Sequence, residues 1–386
     1  IEAEGFEIIR KLGEGGMGEV YLAEQVHPIR RKVALKLLGL SHSNPEAVRR
    51  FESEKQILAT LNHPNVASIY AAGTTNCGRP YVAMEWIDGI PITEYCDDHQ
   101  LSIKERLKLF QQACDGVQHA HFKGIIHRDL KPSNILVFKN GTQFVPKIID
   151  FGIAKTQGSA GGNADRITRA TQLIGTLEYM SPEQALTKHQ SLDTRSDVYS
   201  LGVILHELLV GQIPFSAEFR KAESLGQKLA FICESVPPPM YESFRQSEIT
   251  VEIARQRQTF PSALVHQIED DLRWIVAKTL EKEPENRYPT VQSFSDDITN
   301  HLESRPTAAC PPSFARKTLL FSKRHPLLVT ITLLSVVMIA MTATTVTYAY
   351  RESVKRMTRE GELLDASIKL NLIQEAQEAK KELLPN

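Results

Sequence analysis

The sequence predicts an α+β fold in two lobes, a mostly antiparallel sheet with one helix and then a mainly helical lobe, followed by one transmembrane helix. Three observations predict it. Short apolar runs rich in β-branched and aromatic residues crowd the first 86 residues. Longer runs at helical spacing dominate from there to about residue 304. No charged residue occurs between Pro326 and Tyr350, a run long enough to cross a bilayer core. The expected divisions are 1–86, 87–304, a juxtamembrane linker at 305–325, the membrane helix at 326–350 and a charged helical segment at 351–386.

A chain of 386 residues suits a two-lobed body with an extension. Hydrophobic residues make up 42% and charged residues 24%, so a packed core is expected. The formal net charge of -1 supplies no global basic field, and no nucleic-acid partner is expected. The five cysteines form no CxxC pair, which argues against zinc and against a disulfide framework. The chain opens on Ile1, read as a processed or trimmed start, with no signal-peptide pattern.

The elements follow in order. Residues 6–12 and 19–26 read as strands around a glycine turn, and 32–38 as a third strand. Asn44-Pro45-Glu46 begins a helix: Asn caps, Pro fits the first turn and Glu suits the positive helix end. It should stop near His63-Pro64, and strands at 66–73 and 80–86 should complete the sheet. Ser102 and Glu105 form a capping-box pattern ahead of Ile103, Leu107, Phe110, Cys114 and Val117 at helical spacing, with Gly124 as the stop. A strand is expected at 145–149, a loop at 155–172 and a buried helix at 199–209. Lys323 and Arg324 flank one end of the charge-free run, Arg351 and Lys355 the other, and Tyr348 and Tyr350 sit at belt positions. Basic residues occur on both sides, so charge does not decide orientation. Residues 351–386 are too short for a sensor domain and read as the start of something longer.

Four strings carry chemistry. In Gly13-Glu14-Gly15-Gly16-Met17-Gly18-Glu19-Val20, glycines join two strands and let backbone N–H groups approach phosphate oxygens. In Val33-Ala34-Leu35-Lys36, a strand lysine can neutralise phosphate charge. Glu54 and Glu52 on the following helix are its competing carboxylate partners. In His127-Arg128-Asp129-Leu130-Lys131-Pro132-Ser133-Asn134, Asp129 can accept the proton of an attacking hydroxyl. Lys131 can steady the transferring group, and Asn134 offers an amide oxygen to Mg²⁺. Asp150-Phe151-Gly152 lies 21 residues after Asp129, and Asp150 is the natural carboxylate Mg²⁺ ligand.

With these motifs in this order, and Ser181-Pro182-Glu183 after them, residues 6–304 resemble the eukaryotic-type protein kinase family. The resemblance implies ATP between an N-lobe of sheet plus helix and a helical C-lobe, with a protein Ser/Thr hydroxyl as acceptor. It selects Glu54 as the partner of Lys36 and makes Met84 the gatekeeper, with Glu85 and Trp86 at the hinge. It puts Leu12, Gly13, Gly15, Gly18, Val20, Ala34, Lys36, Met84 and Glu85 at ATP, and Asp129, Lys131, Lys36 and Glu54 in catalysis. It implies an Arg287–Glu183 pair inside the C-lobe. Lys131 and Thr176 match serine/threonine specificity, Thr176 as part of the substrate loop. Lys36, Asp129, Asn134 and Asp150 are all present, which argues against a nucleotide-binding scaffold without transfer. The segment from Gly175 to Glu183 reads as a peptide-docking loop and argues against a small-molecule kinase.

Within the family the chain is similar to bacterial membrane-anchored kinases, which implies a single-pass membrane protein with a cytoplasmic kinase domain. Homodimerisation through the membrane helix is expected to raise the rate of autophosphorylation in trans. Thr168 and Thr171 are the expected phosphosites, where a phosphate could pair with Arg128 and order the loop. One departure from the family is the long segment from Phe215 to Asp270 with Pro237-Pro238-Pro239 inside it, which borders the substrate side.

Overall fold

The computed structural model describes residues 3–15, 18–38, 60–151, 177–186, 193–311, 318 and 324–382. Two compact units result, Ile1–Pro312 and Ser313–Asn386.

The first lobe of the larger unit is a five-stranded antiparallel sheet. Its strands are β1 (Phe6–Gly15), β2 (Gly18–Gln25), β3 (Arg31–Leu38), β4 (Ile69–Thr74) and β5 (Pro80–Glu85), in the order β1-β2-β3-β5-β4. The five expected strands are therefore present, with ends moved by a few residues. In β3, Val33, Leu35 and Leu37 alternate onto one face and are fully buried with Ala23, Tyr81 and Ala83. The register sets Lys36 opposite Val20 on one side and Val82 on the other. The helix expected from Asn44 and the loop at 155–172 lie outside the described residues.

The second lobe begins with β6 (Gly89–Pro91) and the helices α1 (Ile92–Asp98) and α2 (Ile103–Phe122). The capping box of α2 forms as expected: Ser102 Oγ accepts from Glu105 N, and the Glu105 carboxylate returns to Ser102 N at 2.9 Å. Gly124 closes the helix at φ +74°, where a side chain would be strained.

A second sheet follows, of which only the strand expected at 145–149 is read from the sequence. Strands β7 (Ile135–Asn140) and β8 (Gln143–Ile148) pair in a hairpin, and β6 adds to β7. Ile135 pairs with Ile148, so the open end of this hairpin carries both Asn134 and, just beyond β8, Asp150. Beyond it stand α3 (Pro182–Ala185) and α4 (Arg195–Val210). Helix α4 is buried nearly all round, as its apolar sequence requires. The long segment then folds into α5 (Ser216–Lys221), α6 (Leu225–Glu234), α7 (Met240–Arg245), α8 (Thr250–Arg255) and α9 (Pro261–Gln267). Helices α10 (Arg273–Thr279) and α11 (Val291–Leu302) complete the lobe. Phe215, Phe219 and Ile232 from the long segment pack on Leu177, which continues the expected substrate loop. The compact unit ends at Pro312, so residues 305–311 pack with the lobe, past the expected boundary at 304.

The second unit is dominated by one continuous helix, α12 (Pro326–Glu382). Its first 25 residues are the charge-free run, and their apolar side chains, such as Leu327, Ile331, Leu334 and Ile339, face outward. Among the described residues this is the helix long and apolar enough to cross a membrane. Its threonines bond back to their own helix: Thr330 to Leu327 O at 2.9 Å, Thr342 to Ile339 O at 2.8 Å and Thr347 to Ala343 O at 2.9 Å. Hydroxyls satisfied in this way present no unpaired polar group to a lipid interior.

Candidate active site

The catalytic-loop residues of the sequence form a closed hydrogen-bonded cluster. Asp129 is 7% exposed. Its Oδ2 lies 3.3 Å from Lys131 Nζ and accepts from Asn134 Nδ2, also at 3.3 Å. Asn134 Nδ2 also donates to the Asp129 carbonyl at 2.7 Å. With its nitrogen committed to Asp129, Asn134 keeps its amide oxygen as the atom for a hard cation.

Just past β8, Asp150 Oδ1 accepts from Lys36 Nζ at 2.5 Å. The Lys36 side chain is 5% exposed, so these charges are paired where water is scarce. Asp150 thus stands with the strand lysine, and Glu54 lies outside the described residues. An asparagine oxygen and a carboxylate are a hard donor set that suits Mg²⁺, with phosphate and water completing the shell. Among the described residues no group of three or more His, Cys, Asp or Glu side chains gathers as a metal site.

The glycine turn lies at the end of β1 and β2, with Gly15 opposite Gly18 and Gly18 at φ +132°. Nothing lies within 4 Å of where a Cβ on Gly13 would stand, so that side of the backbone is open to a ligand. Leu12 is partly exposed beside it, and Ala34 pairs with Met84, which is 7% exposed. Glu85 is less simple than the sequence reading. Its carboxylate pairs with Lys147 of β8 and accepts from Ser68 N at 3.2 Å, and its own N–H donates to Ser68 O at 2.8 Å. Thr168, Thr171 and Thr176 lie outside the described residues.

A family model for the protein kinase domain matches residues 6–298. The chain belongs to the protein kinase family.

The kinase is 36% identical over 300 residues to serine/threonine-protein kinase Pkn1 of Myxococcus xanthus, covering 77% of this chain and 38% of Pkn1. It is 34% identical over 312 residues to PknB of Mycobacterium tuberculosis, covering 80% and 44% respectively. PrkC of Bacillus subtilis is 34% identical over 301 residues, covering 78% and 41%. The chain thus spans less than half the length of these relatives. The crystal structure of the Mycobacterium tuberculosis PknI kinase domain aligns with a TM-score of 0.53 at 24% identity, covering 78% of this chain and 97% of that one, which supports the fold.

The kinase holds its catalytic loop with residues the motifs did not single out. Asp197, in the first turn of α4, accepts the backbone N–H of Arg128 at 2.9 Å on Oδ1, and that of His127 at 2.8 Å on Oδ2. His121 Nε2–H adds a bond to Oδ2 at 2.8 Å. Burial works to raise the Asp197 pKa, but the His121 bond, the two nearby imidazoles and the His127 amide outweigh it and hold the carboxyl low. His127 spends both ring nitrogens. Nε2–H donates to Ile149 O at 2.9 Å, and Nδ1 accepts from Asp129 N at 3.3 Å. Burial lowers its pKa against the pull of Asp197 and favours this neutral form. Arg128 at φ +64° and Asp150 at φ +68° occupy the left-handed region without being glycine. Such backbone costs about 1–3 kcal/mol per residue and persists where its surroundings over-determine it.

The Arg287–Glu183 pair forms as the resemblance implied. Nη1 and Nη2 of Arg287 donate to the two Glu183 oxygens, each at 2.8 Å. Further bonds to the carbonyls of Glu281, Arg195 and Lys282 use the remaining N–H groups. Burial would raise the Glu183 pKa, but the Arg287 bonds prevail and lower it. Gln184, next in α3, donates to Arg128 O at 2.9 Å, so α3 is tied directly to the catalytic loop. Tyr179 donates to Glu207 of α4 at 2.7 Å, and its carbonyl accepts from Ser200 at the same distance.

Proposed function

We propose that the chain is a serine/threonine protein kinase that transfers the γ-phosphoryl group of ATP to protein hydroxyls. The observation that carries the reading is the Asp129 cluster, in which one carboxylate oxygen stands 3.3 Å from both Lys131 Nζ and Asn134 Nδ2. Asp129 orients the acceptor hydroxyl and takes its proton, while Lys131 stabilises charge on the group in flight. Lys36 neutralises phosphate charge, with Glu54 as its partner on the helix side. The glycine turn with Gly13, Gly15 and Gly18 covers the phosphates, and Leu12, Val20, Ala34, Met84 and Glu85 receive the adenine side. Asn134 and Asp150 would hold Mg²⁺, which screens phosphate charge when bound. Support for Ser/Thr specificity comes from the printed names of Pkn1, PknB and PrkC. The test is transfer from labelled Mg-ATP to dephosphorylated casein. The unmodified chain is expected to label serine and threonine, and Asp129→Asn to lose about 10²-fold or more in kcat. Comparable turnover by Asp129→Asn would sink the assignment.

The same reading places the kinase on the cytoplasmic side of a cell membrane, crossed once by residues 326–350. ATP supply is the reason for that orientation. Protease added outside intact cells is expected to remove only residues after Tyr350, and digestion of the kinase unit would reverse the topology. Dimerisation through the membrane helix and autophosphorylation at Thr168 or Thr171 belong to this proposal as its mode of switching. Mass spectrometry of the active chain beside Asp129→Asn tests it, with phosphate at those threonines expected in the active chain only.

A further inference from the structure

The chain does not leave the helical lobe where α11 ends. It turns at Ser304, which has φ +54°, and residues 305–311 lie back on the lobe within the same compact unit. Arg305 N donates to Asn300 O at 2.6 Å. Thr307 is 7% exposed, with its hydroxyl 3.4 Å from Asp271 Oδ1, and Ala309 packs against the main core.

Asp297 holds this segment. Its carboxylate, on α11, is 2% exposed and makes no ion pair among the described residues. Oδ1 accepts from Ala308 N at 2.7 Å, and Oδ2 accepts from Ala309 N at 2.9 Å. Tyr288 Oη donates to the same Oδ2 at 2.7 Å. A buried carboxylate without a cation depends on such donors, because losing one leaves charge unsolvated. Asn300 Nδ2 adds a longer bond to Oδ1 at 3.5 Å, and two of the four donors, at 2.7 and 2.9 Å, belong to the backbone of residues 308 and 309. The segment and the carboxylate therefore stabilise one another.

The other arm of Asp297 leads into the lobe. Tyr288 directly follows Arg287, whose two Nη groups grip Glu183. Gln184 follows Glu183 and holds the carbonyl of Arg128, the neighbour of Asp129. Each step is one hydrogen bond or one covalent neighbour, and most of these groups are buried.

We propose that residues 305–311 form a strap that positions α3 and the catalytic loop through Asp297, Tyr288, Arg287 and Glu183. Asp297 is a positioning residue in this scheme, and how the chain departs from the lobe sets how well a protein substrate is phosphorylated. The proposal rests on the kinase reading above.

The test uses the full chain in lipid nanodiscs. Tyr288→Phe keeps the ring and its stack on Phe294 at 5.4 Å and removes only the hydroxyl donor. Ala308→Pro removes one N–H from the strap and alters no side chain of the lobe. For Tyr288→Phe, hydrogen exchange at the Ala308 and Ala309 amides is expected to quicken about tenfold, the scale of one lost hydrogen bond. For both variants the KM for dephosphorylated casein is expected to rise about threefold or more, while the KM for ATP stays within about twofold. Unchanged exchange in Tyr288→Phe would show that the Asp297 contact does not hold the strap. Faster exchange with an unchanged casein KM would make the strap merely structural and overturn the positioning role. A joint rise of both KM values with a lower Tm would mean general loosening and would also overturn it. An unmodified chain that phosphorylates no protein would instead fail the kinase reading, and the positioning role would fall with it. The exchange experiment would still decide whether the strap is held.

Discussion

Asp197 Oδ2 accepts the backbone N–H of His127 at 2.8 Å, across 70 positions of the chain. Its other oxygen takes the N–H of Arg128, whose φ of +64° an unsupported loop would not keep. The buried helix α4 thereby fixes the backbone that presents Asp129. Asp197→Asn puts an amide where only acceptors fit, so one loop N–H loses its partner. The expected result is a fall in kcat of about 10²-fold, with the KM for ATP changed far less, because the loop that aims the base is displaced. Steady-state kinetics checks this, and an unaltered kcat would remove Asp197 from the account.

His127 gives a pH dependence with a definite sign. Burial lowers its folded pKa below the ordinary value, against the opposing pull of Asp197. The unfolded chain therefore takes up this proton first as pH falls. The stability from neutral His127 is fully present above about pH 6.5 and is lost as pH drops below it, by at most about 1.4 kcal/mol per pH unit. His127→Phe removes the titrating group and should flatten that part of the profile. Urea unfolding midpoints between pH 5 and pH 7.5 provide the measurement, and an equally steep profile in the variant would assign the dependence to other groups.

Asp129 and Asp150 should separate in a binding experiment. Asp150 lies with Lys36 at the expected Mg²⁺ position, whereas Asp129 is bonded to Lys131 and Asn134. Asp150→Asn is expected to weaken Mg²⁺-dependent nucleotide binding about tenfold or more as well as to abolish turnover. Asp129→Asn should leave that affinity within about threefold. Calorimetric titration of nucleotide with and without Mg²⁺ distinguishes them, and equal losses in both variants would merge the two roles.

The sequence by itself determined the local pieces and the reacting groups. Alternation in β3, the Ser102–Glu105 box and the charge-free run after Pro326 each depend on neighbours within a few residues, and each formed as its spacing required. The motif strings likewise named Lys36, Asp129, Lys131, Asn134 and Asp150 before any contact among them was visible. The hairpin of β7 and β8 was legible in principle, because Asn140-Gly141 with Gly141 at φ +61° is a two-residue turn signature, but the short run at 135–140 directly follows the catalytic string and carries little alternation of its own. Tertiary structure decided which buried polar group answers which. Asp197 is an ordinary first-turn acid until α4 packs beneath the catalytic loop. The Glu85 carboxylate looks free for a ligand until β8 brings Lys147 to it. Asp297 looks like a solvated helix residue until the chain turns back at Ser304 and gives it two amide donors. Spacing cannot foretell these partnerships, because a buried charge is satisfied by whatever donor the packing delivers, at any distance along the chain.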